Sequence, residues 1–294
     1  MQSGIYTPSV TPLRSDGSID FDAWGPHIDH LVTAGITGIL IFGSIGEFYA
    51  FSRAQKEEAI DFAVERISHR TQLLVGTGST RLSDTVKLGQ YAARAGADGA
   101  VVISPYYFGP SDEAAFRYFG RVVAESELPV VLYNFPARTG SDLGASLVQR
   151  LAEAFPQIIG MKDTVDTISH TREVIEAAGA VRDDFAVFSG FDEYYVPNRI
   201  AGGAGIISGL TNIAPELFVE LNTAWDAGDF ATVHKDAGHV SRLMRIYQVG
   251  DLFVQTIKAG VNARGTSMSA ATSEPCVPLS RADLEEIQRI VSEV

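Results

Sequence analysis

The chain has 294 residues, of which 46% are apolar and 20% charged, and its formal net charge is −13. That length suits two ordinary domains or one large α/β barrel, and the acidic balance sets nucleic acid and acidic membrane surfaces aside as partners. The single cysteine, Cys276, excludes an internal disulfide framework. No apolar stretch reaches the roughly 18 residues of a membrane span and no signal peptide is evident, so a cytoplasmic location is expected.

Apolar strands and amphipathic helices alternate along the chain with short links. Ile5 to Val10 reads as the first strand and Ile36 to Phe42 as the second. Ser52-Arg53-Ala54-Gln55 then forms a capping box, and the helix behind it carries Ile60, Ala63, Val64 and Ile67 on one face. Leu73 to Gly76 is the next strand and Asp84 to Ala95 the next helix. Further strands are expected at Gly99 to Ser104, Pro129 to Asn134, Ile158 to Lys162, Phe185 to Ser189 and Gly205 to Ser208. The segments between them are helical in pattern and long enough for right-handed crossovers.

One local unit recurs. Ala34-Gly35-Ile36-Thr37-Gly38 and Ala95-Gly96-Ala97-Asp98-Gly99 each end a helix and start a strand, and Gly202-Gly203-Ala204-Gly205 is a looser third copy. The echo supports a wound α/β architecture without separating a closed barrel from an open sheet. Eight strands within about 210 residues favour the closed (β/α)8 TIM barrel. After Ile213 the strand pattern stops, and Pro215 to Asp226, Phe230 to Gln248, Leu252 to Ala263 and Ala282 to Val294 read as helices. The last starts at Ser280, with Leu284, Ile287 and Val291 on one face. The expected organisation is a barrel over residues 1–225 and a C-terminal helical extension over 226–294 packed on it.

In such a barrel the chemistry sits where strands finish. Lys162 stands out there. Of five lysines, Lys56, Lys87, Lys235 and Lys258 fall in helical segments, and Lys162 alone closes a short apolar strand run. An ammonium in that position is costly unless it loses its proton or finds a partner. A desolvated, neutral lysine is a nucleophile that forms Schiff bases with carbonyl compounds. The alternative is a strand-end lysine in a salt bridge with Asp163 or another carboxylate.

Other strand ends bring further groups. Gly43-Ser44-Ile45-Gly46 is a tight turn whose N–H groups suit a carboxylate or phosphate, or is a plain connecting turn. Tyr133 is a proton-transfer phenol or a core tyrosine. Tyr106-Tyr107 reads as a site or an interface pair, and Asp192-Glu193 as hydroxyl-binding groups or a helix cap. Gly190, Ile207 and Ser208 end the last two strands.

These residues match a family. The chain resembles the pyruvate-dependent class I aldolase and lyase superfamily that includes dihydrodipicolinate synthase and N-acetylneuraminate lyase. The resemblance runs over nearly the whole chain, through Gly43-Ser44-x-Gly46-Glu47, Pro105-Tyr106-Tyr107, Tyr133-Asn134-x-Pro136-x-x-Thr139-Gly140 and Gly160-x-Lys162-Asp163. It implies that Lys162 is the Schiff-base lysine and Tyr133 the proton-moving phenol. Ser44 would link Tyr133 to Tyr107, which reaches a neighbouring subunit's site in a tetramer built from dimers. The turn at Ser44, Ile45 and Gly46 would hold the substrate carboxylate. Ile45 departs from the pattern, because a threonine hydroxyl is common at that position.

The family's branches leave conflicting marks. Arg138 looks like the arginine with which dihydrodipicolinate synthase holds its aldehyde substrate. Gly190-Phe191-Asp192-Glu193 resembles the neuraminate lyase branch, where an Asp-Glu pair contacts sugar hydroxyls. Lys162-Asp163-Thr164-Val165-Asp166 with Asn134-Phe135-Pro136 looks closest to the 2-keto-3-deoxygluconate aldolase branch. Two regions outvote one, so the expected activity is cleavage of a 2-keto-3-deoxy sugar acid to pyruvate and an aldehyde. The alternatives are dihydrodipicolinate synthase, a 2-keto-3-deoxy acid dehydratase and a non-catalytic sugar-acid-binding regulator. The resemblance implies a covalent imine through Lys162 with neither metal nor nucleotide cofactor. The expected partners are a small 2-keto acid and an aldehyde.

Overall fold

Short strands that are apolar on both faces need helices on one side and a filled interior on the other. The computed structural model, which describes residues 1–294, has that arrangement. Strands β1 (Gly4–Pro8), β2 (Gly38–Ile41), β3 (Gln72–Gly76), β4 (Gly99–Ile103), β5 (Val130–Asn134), β6 (Ile158–Asp163), β7 (Ala186–Ser189) and β8 (Gly205–Ile207) close in chain order. Between and after them run α1 (Phe21–Ala34), α2 (Arg53–Ile67), α3 (Leu82–Ala95), α4 (Asp112–Glu125), α5 (Pro136–Thr139), α6 (Ala145–Ala154), α7 (Ile168–Gly179), α8 (Tyr195–Ile200) and α9 (Pro215–Ala227). Helices α10 (Phe230–Leu243), α11 (Phe253–Ala263) and α12 (Arg281–Val291) follow. This is a (β/α)8 TIM barrel with C-terminal helices, as the strand series leads one to expect. No helix is long and apolar enough to cross a membrane.

Local signals in the sequence do what their chemistry requires. The Ser52 hydroxyl accepts from the Gln55 N–H and the Ser52 N–H donates to the Gln55 side chain, which starts α2. Ser280 and Asp283 make the same reciprocal pair at the start of α12. Gly35 and Gly96, the repeated glycines, end α1 and α3 in the left-handed conformation with φ of 87° and 106°.

Two expectations for the C-terminal helices are corrected. The run from Phe230 does not stay one helix to Gln248: the α-helix ends at Leu243, and a 3-10 segment (Met244–Gln248) follows. Within that segment Ile246 is fully buried and Tyr247 meets the Phe253 ring edge-on. Leu284 does not join Ile287 and Val291 in the core; it is 46% exposed and lines a cavity of about 730 Å³ with Leu13, Gln255 and Leu279.

By their internal contacts the residues form two compact units. One comprises Met1–Gly4 and Gln72–Ile207. In it β3 to β8 pair in parallel, α4 packs on α3 and α6, and α7 packs on α6 and α8. The other comprises Ile5–Thr71 and Ser208–Val294. There β1 pairs with β2, α1 packs on α2 and α9, α10 packs on α9, and α12 packs on α11.

Candidate active site

In the first unit, β5 and β6 run side by side with Tyr133 opposite Lys162 and Asn134 opposite Asp163. Alternation along a strand sends Lys162 and Asp163 to opposite faces. Lys162 is 5% exposed, and its Nζ lies 4.5 Å from the centre of the Tyr133 ring. The salt-bridge alternative does not hold. The Asp163 carboxylate accepts from Asn134, His170 and Thr171, and no carboxylate pairs with Lys162. The amine is held by packing and by an aromatic face, which leaves its nitrogen uncommitted to an anion.

Gly190, just past β7, makes room for that amine. A Cβ at this position would lie 3.1 Å from Lys162 Cε and 1.9 Å from Thr164 Oγ1, so no larger residue fits. Thr164, not among the residues singled out by the strand ends, lies beside the same glycine. Its hydroxyl is buried without a hydrogen-bond partner. The available signal was its spacing of two from Lys162, which on an extended chain puts both on one face.

The remaining candidates of this unit spread outward. Phe135 stacks on Tyr133 with ring centres 6.1 Å apart, and the Arg138 guanidinium lies 5.9 Å from the Phe135 ring. Arg138 is exposed on α5, a single helical turn. Tyr107 has φ of +81° and is 86% exposed, edge-on to the equally open Phe108. Burial raises the phenol of Tyr106 above its ordinary range. Asp192 is buried and Glu193 exposed, and neither caps a helix, so the two do not act as one unit. Their neighbour Tyr194 donates to Asp166 Oδ1 at 2.6 Å, and that carboxylate pushes the phenol up to about 12. Ile207 is the buried last residue of β8.

In the second unit, the turn after β2 contains Ser44, Ile45 and Gly46. It begins at Phe42 and ends at Glu47, both left-handed with φ of 56° and 54°. Such strained residues persist only where surroundings over-determine them. Here Thr11 Oγ1 donates to the Gly46 carbonyl at 3.0 Å. Glu47 is fully buried, and it accepts from Lys258 Nζ at 2.7 Å and from the Ser273 N–H at 2.6 Å. Lys258, also fully buried, gives a second bond to the Ala271 carbonyl at 2.7 Å. Burial pulls its ammonium below the ordinary lysine range despite Glu47. The Ile45 side chain lies over Gly209, where a Cβ would come within 2.4 Å of Ile45 Cδ1 and 2.5 Å of the Tyr247 hydroxyl. Ser208, fully buried, donates its N–H to the Tyr6 carbonyl at 3.1 Å.

Comparison with known proteins adds the lineage. The model of the dihydrodipicolinate synthetase family matches residues 1–294. YagE of Escherichia coli (strain K12), provisionally named a 2-dehydro-3-deoxy-D-gluconate aldolase, is 37% identical over 99% of this chain and 97% of its own. YjhH of the same organism, provisionally named a 2-dehydro-3-deoxy-D-pentonate aldolase, is 34% identical over 99% and 96%. The crystal structure of YagE in complex with pyruvate superposes with a TM-score of 0.97 at 35% identity, covering 99% of this chain and 98% of that one.

Proposed function

The chain belongs to the dihydrodipicolinate synthetase family and is a carbon–carbon lyase, and from that premise we propose that it cleaves or forms a 2-keto-3-deoxy sugar acid through a Schiff base on Lys162. One observation carries the reading. A buried amine without an ion-pair partner stands over the ring of a tyrosine in the adjacent strand. An amine free of an ion pair can add to a ketone, and a tyrosine beside it supports the reading of a proton-moving phenol. The relatives provisionally named for 2-dehydro-3-deoxy sugar acids favour this substrate class.

In the cleavage direction, the Lys162 amine adds to the C2 ketone, and loss of water gives the protonated imine. That cation draws the electron pair of the C3–C4 bond as it breaks. Tyr133 takes the C4 hydroxyl proton, so the aldehyde leaves and an enamine remains. Protonation at C3 and addition of water then release pyruvate and restore the amine. The turn at Ser44, Ile45 and Gly46 receives the carboxylate through N–H groups. Ile45 lacks the hydroxyl that a threonine would add, at a cost to binding of about 1.5–3 kcal/mol. Thr164, Gly190, Asp192, Ile207 and Ser208 serve the sugar-acid chain, and Glu193 and Arg138 its aldehyde end. The exposed Tyr107 and Phe108 suit a homotetramer in which Tyr107 serves a neighbouring site in a cytoplasmic enzyme.

Borohydride reduction in the presence of pyruvate tests the imine. The expected result is a mass increase on Lys162 that is absent from Lys162→Ala; no increase under saturating pyruvate rejects the reading. Arg138 favours one second reading, condensation of pyruvate with aspartate semialdehyde. Rates with aspartate semialdehyde, glyceraldehyde and glycolaldehyde separate the two, and a rate confined to the first overturns the sugar-acid assignment.

A further inference from the structure

Behind Lys162 and Tyr133, on the other face of the same two strands, lies a closed polar cluster. Asn134 follows Tyr133 and Asp163 follows Lys162, and the two are opposite in register. The Asn134 amide donates to Asp163 Oδ1 at 3.0 Å and to Asp142 Oδ1 at 2.8 Å, and its oxygen accepts from the Leu143 N–H at 3.0 Å. The side chain that precedes residues 135–142 thus ties down their far end, closing the segment that carries Phe135 and Arg138.

His170, in the first turn of α7, completes the ring. Its Nδ1 is 2.9 Å from Asp163 Oδ2 and its Nε2 is 3.1 Å from Asp142 Oδ2. Thr171 Oγ1 donates to the same Asp163 oxygen at 2.7 Å. Both ring nitrogens face carboxylate oxygens, so both must donate, which only the imidazolium does. Asp142 and then Asp163 accordingly raise His170 to about 10, and His170 in turn holds the Asp142 carboxyl below its ordinary range. Two carboxylates share the Asn134 amide, and the imidazolium between them is the charge that lets them do so.

The geometry points to His170 as a positioning residue: by bridging Asp142 to Asp163 it holds the loop that presents Arg138, and so sets affinity for the aldehyde partner without touching substrate. The inference rests on the proposed function, which gives Arg138 the aldehyde end. Asp163 is fully buried and anchored by Thr171 and Asn134 as well as by His170, whereas the half-exposed Asp142 is tied to the cluster's side chains by Asn134 and His170. Removing the imidazole therefore frees the loop end before it disturbs β6 and the lysine. In the uncharged His170→Gln, repulsion between the two carboxylates opposes closure; His170→Lys keeps a cation between them.

The test compares the full-length His170→Gln and His170→Lys variants with the wild type in the condensation direction. In His170→Gln, KM for glyceraldehyde should rise tenfold or more, while the rate of borohydride-trappable imine formation with pyruvate stays within twofold. Amide hydrogen exchange over residues 135–143 should accelerate, and His170→Lys should recover most of the KM. A glyceraldehyde KM within twofold of wild type overturns the inference, and so does an equal fall in imine formation, which marks a merely structural role. If His170→Gln does not fold, Asp142→Asn, which leaves the buried Asp163 intact, is judged by the same limits. If the wild type forms no imine, the proposed function fails on its own. Exchange over residues 135–143 then still decides whether His170 holds the loop, and unchanged protection overturns it.

Discussion

Tyr133 lies opposite Lys162 on the adjacent strand, with its ring centre 4.5 Å from the amine, and in the proposed mechanism its hydroxyl moves a proton but is not needed to capture a ketone. Tyr133→Phe keeps the ring on which the amine packs. It should therefore retain pyruvate trapping while turnover falls about 10²–10⁴-fold, the usual worth of a positioned acid or base. Single-turnover trapping beside steady-state rates checks this, and undiminished turnover removes the role. Lys162 was legible because it is the one lysine on an apolar strand. Thr164 was marked only by its spacing of two from Lys162, because an unpartnered hydroxyl is defined by what surrounds it, and Gly190 reaches it from beyond the end of another strand.

At the scale of elements, the turn after β2 depends on a helix far along the chain. Lys258 of α11 and Glu47 pair without any exposure, and Glu47 is itself one of the strained residues of that turn. Removing one member of a buried pair strands the other charge, which costs about 3–5 kcal/mol. Lys258→Met should lose that much stability in urea titrations, and Glu47→Leu combined with Lys258→Met should recover most of it. An additive double variant contradicts the pairing. Sequence periodicity placed Lys258 correctly in a helix, yet it carries no information on a carboxylate brought to it by folding.

For the whole molecule, two histidines bracket the stability. His27 is fully buried, its Nε2 3.0 Å from Asn212 Oδ1 and its Nδ1 without a partner. Asn212 also accepts from the Val10 N–H and donates to the Pro8 carbonyl, so the site joins α1 to the end of β1. Burial lowers His27 from 6.5 to about 4. Between those values the unfolded chain binds a proton that the folded chain refuses, so stability is whole above 6.5 and falls as pH drops toward 4. His170 has the opposite sign. Raised from 6.5 to about 10, its contribution is complete below 6.5 and is lost as pH rises through 10. The urea midpoint should therefore decline on both sides of pH 6.5. His27→Gln should flatten the acid limb and His170→Gln the alkaline one; limbs unchanged in these variants refute the assignment.

Periodicity, capping boxes and the glycine echo determined the order of strands and helices, because each is a local preference repeated along the chain, and the count of eight strands favoured the closed barrel. The strand-end rule of such barrels then singled out Lys162, Tyr133 and the turn at Ser44. Only the tertiary structure decided that Lys162 has no carboxylate, that Asp163 turns away to His170, and that Glu47 belongs to Lys258. Charges and hydroxyls reach as far as space allows, and which of them become neighbours depends on strand register and on loops that meet across long stretches of chain.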